Sequence, residues 1–276
     1  MNLAASVRWF VFLACALGVA PVLAAQEKAE PGMDRLKASP RHHEWVQIKH
    51  GGRTLHAFVV FPEVKEKAAA FIVIHENRGL TAWVRSAADR LAEEGYIAIA
   101  PDLLSGAAPG GGMTSDFPDT DAAKKAIYAL PPDQVTADLD AAADYVSKLP
   151  AASGKIAVAG FCWGGGQSFR YATHRPSLSA AFVFYGTGPD DAAAIAKIKA
   201  PVYGFYGGND ARIGATLEKT AALMKAAGKT FEPVTYEGAG HGFMGQGEAP
   251  DATEGNKKAR AEGWKRLLSL AAARLR

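Results

Sequence analysis

Cysteine, aspartate and histidine each stand just past an apolar run in this sequence, and together they make a nucleophile, an orienting acid and a base. Cys162 lies in Lys155-Ile156-Ala157-Val158-Ala159-Gly160-Phe161-Cys162-Trp163-Gly164-Gly165-Gly166. The segment reads as a strand, a sharp turn and the start of a helix, in the form Gly-x-nucleophile-x-Gly. Such a turn crowds the nucleophile's neighbours, so small residues two before and two after it keep the chain from colliding with itself. Taken alone, the segment also fits a strand-to-helix turn around a buried structural cysteine.

A thiol nucleophile needs a base, and the base needs an orienting acid. Val202 to Tyr206 runs into Gly207-Gly208-Asn209-Asp210, and the strand ending at Tyr236 runs into Glu237-Gly238-Ala239-Gly240-His241-Gly242-Phe243. Alone, Asp210 is equally a turn or helix-capping aspartate and His241 a loop histidine. All three groups follow the carboxyl ends of strands, and in an open α/β sheet those ends share one edge, where sites are built. The reading is therefore one constellation, with Cys162 as nucleophile, His241 as base and Asp210 as orienting acid.

The elements that must position these groups alternate along the chain. Two alternating segments, Trp45 to His50 and Leu55 to Phe61, are joined through Gly51-Gly52, a hairpin signal. Ala69 to His75 is a continuous apolar run, the mark of a central buried strand. Strands follow at Tyr96 to Ala100, closed by Pro101, then at the Cys162 segment, Ala180 to Tyr185, Val202 to Tyr206 and Phe231 to Tyr236. Helical patterns lie between them, at Ala82 to Glu94, Asp121 to Leu130, Asp133 to Lys148 and Ile213 to Ala227. Asn256 to Arg276 is an amphipathic helix packed on the sheet. The sum is an α/β protein with a mostly parallel sheet of about eight strands, helices on both faces and an N-terminal β-hairpin. A Gly- and Pro-rich loop from Asp102 to Asp119 leaves the same sheet edge and is expected to overhang Cys162.

The N-terminus reads differently. Arg8 precedes an apolar run from Trp9 to Ala20, too short to span a bilayer, which needs about 20 residues. Val22-x-Ala24 then fits small-residue cleavage after Ala24. Residues 1–24 are expected to be a secretory signal peptide, 25–41 a flexible polar arm, and 42–276 a single domain. Cleavage would remove Cys15 and leave Cys162 alone, without a disulfide partner, in an oxidising compartment: periplasmic or secreted. The 276 residues carry a formal charge of +3, too small to imply nucleic acid or an anionic membrane, and no further membrane segment follows the leader. No phosphate loop or metal-ligand spacing stands out, so neither cofactor nor metal is expected; His42-His43-Glu44 sits before the first strand and carries little weight. A monomer or small homo-oligomer is expected.

From about His42 onward the chain resembles the dienelactone hydrolase family, the cysteine-using branch of the α/β-hydrolase fold. The residues carrying the resemblance are His75-Glu76-Asn77-Arg78-Gly79, Ala100-Pro101-Asp102-Leu103, the Gly160 to Gly165 elbow, Gly207-Gly208-Asn209-Asp210 and Gly240-His241-Gly242-Phe243. The resemblance implies that Glu76 lies against the thiol and controls its ionisation, and that backbone N–H groups of Asn77 and Trp163 form the oxyanion hole. The family holds its substrate carboxylate with arginines, one of them four residues after the catalytic histidine, where this chain has Gly245. Arg78 and Arg212 remain as cations near the site loops, and Trp163 and Phe243 are expected to shape the pocket with Arg78.

The function these residues point to is hydrolysis of a small carboxylic ester or lactone through an acyl-thioester. The same triad would serve an acyltransferase or thioesterase. A non-catalytic or redox-responsive thiol protein on the same fold is the alternative from another class.

Overall fold

The computed structural model describes residues 30–276. The expected signal peptide, and residues 25–29 of the expected arm, lie outside the described residues. In chain order the elements are α1 (Met33–Ala38), β1 (His43–His50), β2 (Arg53–Val60), β3 (Ala68–Ile74), α2 (Ala82–Glu93) and β4 (Ile97–Asp102). Two single 3₁₀ turns precede α3 (Thr120–Ala129), α4 (Pro132–Ser147), β5 (Ala152–Phe161), α5 (Trp163–Ala172) and β6 (Ala180–Phe184). The chain ends through α6 (Ala192–Ile195), β7 (Val202–Gly207), α7 (Ala211–Ala226), β8 (Phe231–Tyr236), α8 (Phe243–Gln246) and α9 (Glu254–Leu275).

The eight strands form one sheet in the order β1-β2-β4-β3-β5-β6-β7-β8. β1 pairs with β2, and β2 with β4, antiparallel; every later pairing is parallel. The β1–β2 turn uses Gly51 and Gly52 at φ 52° and 76°, the two left-handed residues of a tight hairpin turn. β3, all apolar and fully buried, feeds both faces of the sheet. Phe71 and Val73 pack on one face with Val84 and Leu91 of α2 and Trp264 and Leu267 of α9. Ile72 and Ile74 pack on the other with Leu139 and Val146 of α4, Phe169 of α5 and Met224 of α7.

Two expectations are corrected. Pro101 does not close β4: it stays in the strand, opposite Ala57, and the strand runs on to Asp102. Strand β2 is antiparallel at this point, and proline is tolerated wherever its missing N–H faces no ladder acceptor. Residues 30–41, expected as a loose arm, contain helix α1 and are tied to α2. The carboxylate of Asp89, fully buried, receives Arg41 Nε and Nη2 at 2.8 Å each and Ser39 Oγ at 2.5 Å, and lies 2.9 Å from His43 Nε2. Composition reads such a segment as polar and free because its partner is 50 residues away.

Candidate active site

The turn between β5 and α5 puts Cys162 at φ 56°, ψ −117°, a strained backbone for a residue with a side chain. Its neighbours show why this sequence tolerates it. A Cβ at Gly160 would collide with the Gly164 carbonyl, and one at Gly164 with the carbonyls of His75 and Ile74. The Cys162 N–H donates to the Phe184 carbonyl at 3.0 Å, fixing the elbow to β6. The thiol is half-buried and free.

Asp210 caps α7, its Oδ1 accepting the Ile213 N–H at 3.3 Å. His241 follows β8 in a loop held from α9, where Asn256 Oδ1 accepts the Gly240 N–H at 2.8 Å. Gln246 Nε2 donates to the His241 carbonyl at 2.9 Å. His241 stands between its two partners, with Nδ1 2.5 Å from Asp210 Oδ2 and Nε2 3.1 Å from Cys162 Sγ. A carboxylate only accepts, so Nδ1 carries the ring hydrogen and Nε2 faces the thiol as acceptor.

Glu76 and Asn77 follow β3 in a tight turn closed by the Gly79 N–H on the Glu76 carbonyl. Thr114 packs where a Gly79 side chain would stand, and its Oγ1 accepts the Leu80 N–H at 3.0 Å while donating to Asp102 at 2.7 Å. Buried Asp102, at the end of β4, thus holds the Glu76 loop. Burial raises the Glu76 carboxyl to about 7, against the opposing pull of Arg78 and the Tyr185 hydroxyl. Burial, and then the Glu76 charge, push the Cys162 thiol up. The backbone N–H groups of Trp163 and Asn77, both directed at the thiol, and the Arg212 charge pull it partly back. His75 is fully buried and stacked on Trp163 at 5.5 Å, with Nδ1 bonded to the Glu76 carbonyl and Nε2 accepting the Leu103 N–H. Burial lowers its pKa, and it acts as a neutral spacer under the loop.

A cavity of about 300 Å³ opens over Cys162 and His241, walled by Trp163, Tyr128, Tyr185 and Arg212 among others. Two residues expected in the pocket are not in this wall. Phe243 is fully buried behind Tyr185, ring centroids 5.3 Å apart, and Arg78 is exposed to solvent. The Asp102–Asp119 loop lies off the cavity as well; it delivers α3, whose Tyr128 forms the rim and whose hydroxyl accepts from Asn77 Nδ2 at 3.3 Å. Sequence reading missed Tyr128 and Tyr185, which carry no motif of their own. Among the described residues no group of three His, Cys, Asp or Glu gathers to hold a metal, and no helix is long and apolar enough to cross a membrane. His42 lies beside Glu44 and His43 on Asp89.

A family model described as "Dienelactone hydrolase family" matches residues 55–274. A Salmonella typhimurium protein provisionally assigned as a carboxymethylenebutenolidase is 35% identical over 233 residues, covering 80% of this chain and 83% of that one. The carboxymethylenebutenolidase of Pseudomonas putida is 29% identical over 196 residues, covering 70% and 82%. A Klebsiella pneumoniae crystal structure, provisionally assigned as a dienelactone hydrolase, superposes with a TM-score of 0.72 at 30% identity, covering 83% of this chain and 97% of its own.

Proposed function

Because this chain belongs to the dienelactone hydrolase family, we propose that it is an exported, cysteine-dependent hydrolase that cleaves a small carboxylic ester or lactone through an acyl-thioester. Family membership supports the hydrolase class and the ester or lactone bond. The observation that carries the finer reading is the continuous contact from Asp210 through His241 to Cys162, at 2.5 and 3.1 Å, on a strained elbow.

The steps follow from that contact. The thiol, pushed up by burial, rests neutral and needs a base. His241 Nε2 takes its proton as Sγ attacks the carbonyl carbon, and Asp210 stabilises the imidazolium through Nδ1–H. The carbonyl oxygen becomes an oxyanion held by the N–H groups of Asn77 and Trp163. Collapse of the tetrahedral adduct breaks the C–O bond, and Nε2–H returns its proton to the departing oxygen. The acyl group stays on Sγ until a water, deprotonated at Nε2, attacks the thioester carbonyl; collapse of that adduct breaks the C–S bond, Nε2–H returns the proton to Sγ, and the acid leaves.

The test is turnover of p-nitrophenyl acetate and dihydrocoumarin by wild type and Cys162→Ala, with acid-quenched wild type examined by mass spectrometry. Loss of turnover in the variant, and an acyl adduct on the peptide holding Cys162, are expected. Wild-type rates in Cys162→Ala would sink the mechanism. Export rests on the N-terminal pattern alone, and its check is N-terminal sequencing of the protein from a periplasmic fraction, where a start at Ala25 is expected.

A further inference from the structure

Gln167 is a polar side chain in the wall of the Cys162 cavity that no step of the mechanism uses. It lies on α5, four residues and so about 6 Å of helix axis beyond Trp163. Residues four apart share a helix face, so Gln167 continues the face that Trp163 begins. Its amide is not free to turn. Arg170 Nε donates to Gln167 Oε1 at 2.8 Å. Arg170 is held in turn by α4, where Thr136 Oγ1 accepts Nη1 at 2.8 Å and the Pro132 carbonyl accepts Nη2 at 3.0 Å. A guanidinium only donates, so the amide atom that faces it is the oxygen, and the nitrogen is the one left over. Among the described residues Gln167 Nε2 completes no hydrogen bond, while Oε1 has its partner. The cavity wall therefore carries a half-buried pair of N–H donors, fixed in orientation from two residues away and open to whatever enters. The bond from a guanidinium to Oε1 polarises the amide and makes those N–H groups better donors.

We propose that Gln167 is a specificity-determining residue: its amide N–H groups donate to a neutral oxygen, an ether, hydroxyl or ketone, carried on the acyl chain several bonds beyond the scissile carbonyl. The proposal deepens the reading of the site as a cysteine-dependent ester hydrolase and rests on it. The sheet order assigns the acyl end of the substrate. The departing oxygen must meet His241 Nε2, and His241, Asp210 and Arg212 all come from the β7 and β8 side. The acyl chain then lies along the other wall, which α5 supplies through Trp163, Gln167 and Arg170. The oxygen is neutral because the amide is: a carboxylate there would lose more hydration than two amide N–H groups return. Arg212 and Thr187 also line the cavity, but both are exposed, and neither is held by a second side chain as Gln167 is.

The experiment compares esters of equal length and shape that differ by one oxygen. p-Nitrophenyl hexanoate is measured against p-nitrophenyl 3-ethoxypropanoate and p-nitrophenyl 4-methoxybutanoate, in which an ether oxygen replaces one methylene. The readout is the ratio of kcat/KM, ether over hexanoate, so the intrinsic reactivity of each ester cancels between variants. Gln167→Leu keeps the size of the side chain and removes both donors. Gln167→Glu also removes them but keeps the acceptor that Arg170 Nε needs, and so preserves the wall should Gln167→Leu fold poorly. Each variant should lower the ratio for at least one ether by about fivefold. A role confined to holding Arg170 would be rescued by Gln167→Glu, whose ratio would then match wild type. A ratio within about twofold of wild type for both ethers, in either folded variant, overturns the proposal. The N-methylamides of the same three acids, scored by how well they protect Cys162 from iodoacetamide, repeat the comparison without turnover. Ester turnover that survives Cys162→Ala would sink the hydrolase mechanism, and the protection ratios would still decide the role of Gln167.

Discussion

Asp210 holds His241 with one carboxylate oxygen, at 2.5 Å, and caps helix α7 with the other, at 3.3 Å from the Ile213 N–H. The same side chain therefore has a contact to the proposed base and a structural contact, and substitutions separate them. Asparagine is as good a helix cap as aspartate, but it cannot serve as an acceptor-only anion for the imidazolium. Asp210→Asn should keep wild-type stability and lower kcat about 10³- to 10⁴-fold. Asp210→Ala should lose activity to the same extent and also about 1 kcal/mol of stability. Urea unfolding beside ester kinetics on both variants checks this.

The elbow makes a purely steric prediction. A methyl group at Gly164 meets the carbonyls of His75 and Ile74, which belong to the end of central strand β3 and cannot move without unzipping it. Gly164→Ala should cost about 3 kcal/mol, at the upper end for overpacking, whereas Gly214→Ala, with open space around it in α7, should be neutral or stabilising. Denaturant midpoints of the two variants decide it.

What the sequence made legible follows the range of the forces involved. The elbow is readable because Gly160, Cys162 and Gly164 settle their conflict within five residues. The triad is readable because strand ends of a parallel sheet must share an edge. Tyr185 is not readable: Phe184-Tyr185-Gly186 looks like any strand running out, and its place in the cavity wall comes from packing on His241 and Phe243, which lie far along the chain. Phe243 shows the opposite error. Two residues from His241 in sequence, it is carried by the first turn of α8 to the far side of Tyr185. Helix α1 was hidden for the same reason as Tyr185, since Asp89 is its anchor.

Glu76 predicts a pH dependence of stability. Its carboxyl is raised from 4.5 to about 7 in the fold, so the folded state holds its proton longer than the unfolded chain. The stabilisation is complete below the unfolded value and is lost as pH rises through about 7. Glu76→Gln has nothing to lose over that range. Wild type should therefore fall relative to Glu76→Gln between pH 5 and 8, by at most about 3 kcal/mol. Thermal melts of both proteins at several pH values give the difference, and parallel curves would remove the raised carboxyl from the account.

Asp89 predicts the reverse slope at the acid end. Burial alone would raise its carboxyl, but hydrogen bonds from Arg41, Ser39 and His43, and the Arg35 charge, outweigh burial and hold it well below the usual carboxylate range. Its contribution is present above the unfolded value, near 3.9, and is lost as pH falls below it. Asp89→Asn should cost about 3 kcal/mol, because it strands guanidinium groups at a buried carboxamide. It should also free the segment around α1, so that brief trypsin treatment cuts at Arg35, Lys37 or Arg41 before any other site. Cleavage patterns identical to wild type would mean the segment is held by its apolar contacts instead.

Gly245 carries the specificity prediction. The resemblance to the family implies a carboxylate-binding arginine four residues after His241; this chain has glycine there, and the space above it is taken by the Trp83 ring, 3.2 Å from where a Cβ would stand. A cation added by Gly245→Arg would have to displace a tryptophan that packs edge-on against Phe161 at 5.0 Å, one residue from Cys162. No acidic side chain is in the cavity wall; of its two arginines, Arg212 is exposed and screened by water and salt, and half-buried Arg170 already donates to Gln167, Thr136 and the Pro132 carbonyl. A neutral ester loses nothing in such a pocket, whereas a carboxylate-bearing lactone gives up its hydration to cations that are either screened or already engaged. kcat/KM for a neutral short-chain ester should therefore exceed that for dienelactone. Arg212→Ala should change the neutral ester's value by less than about threefold, and Gly245→Arg should lower stability without gaining dienelactone turnover. Dienelactone preferred by tenfold or more, about 1.4 kcal/mol of transition-state discrimination, would mean that Arg212 or another basic group binds its carboxylate after all.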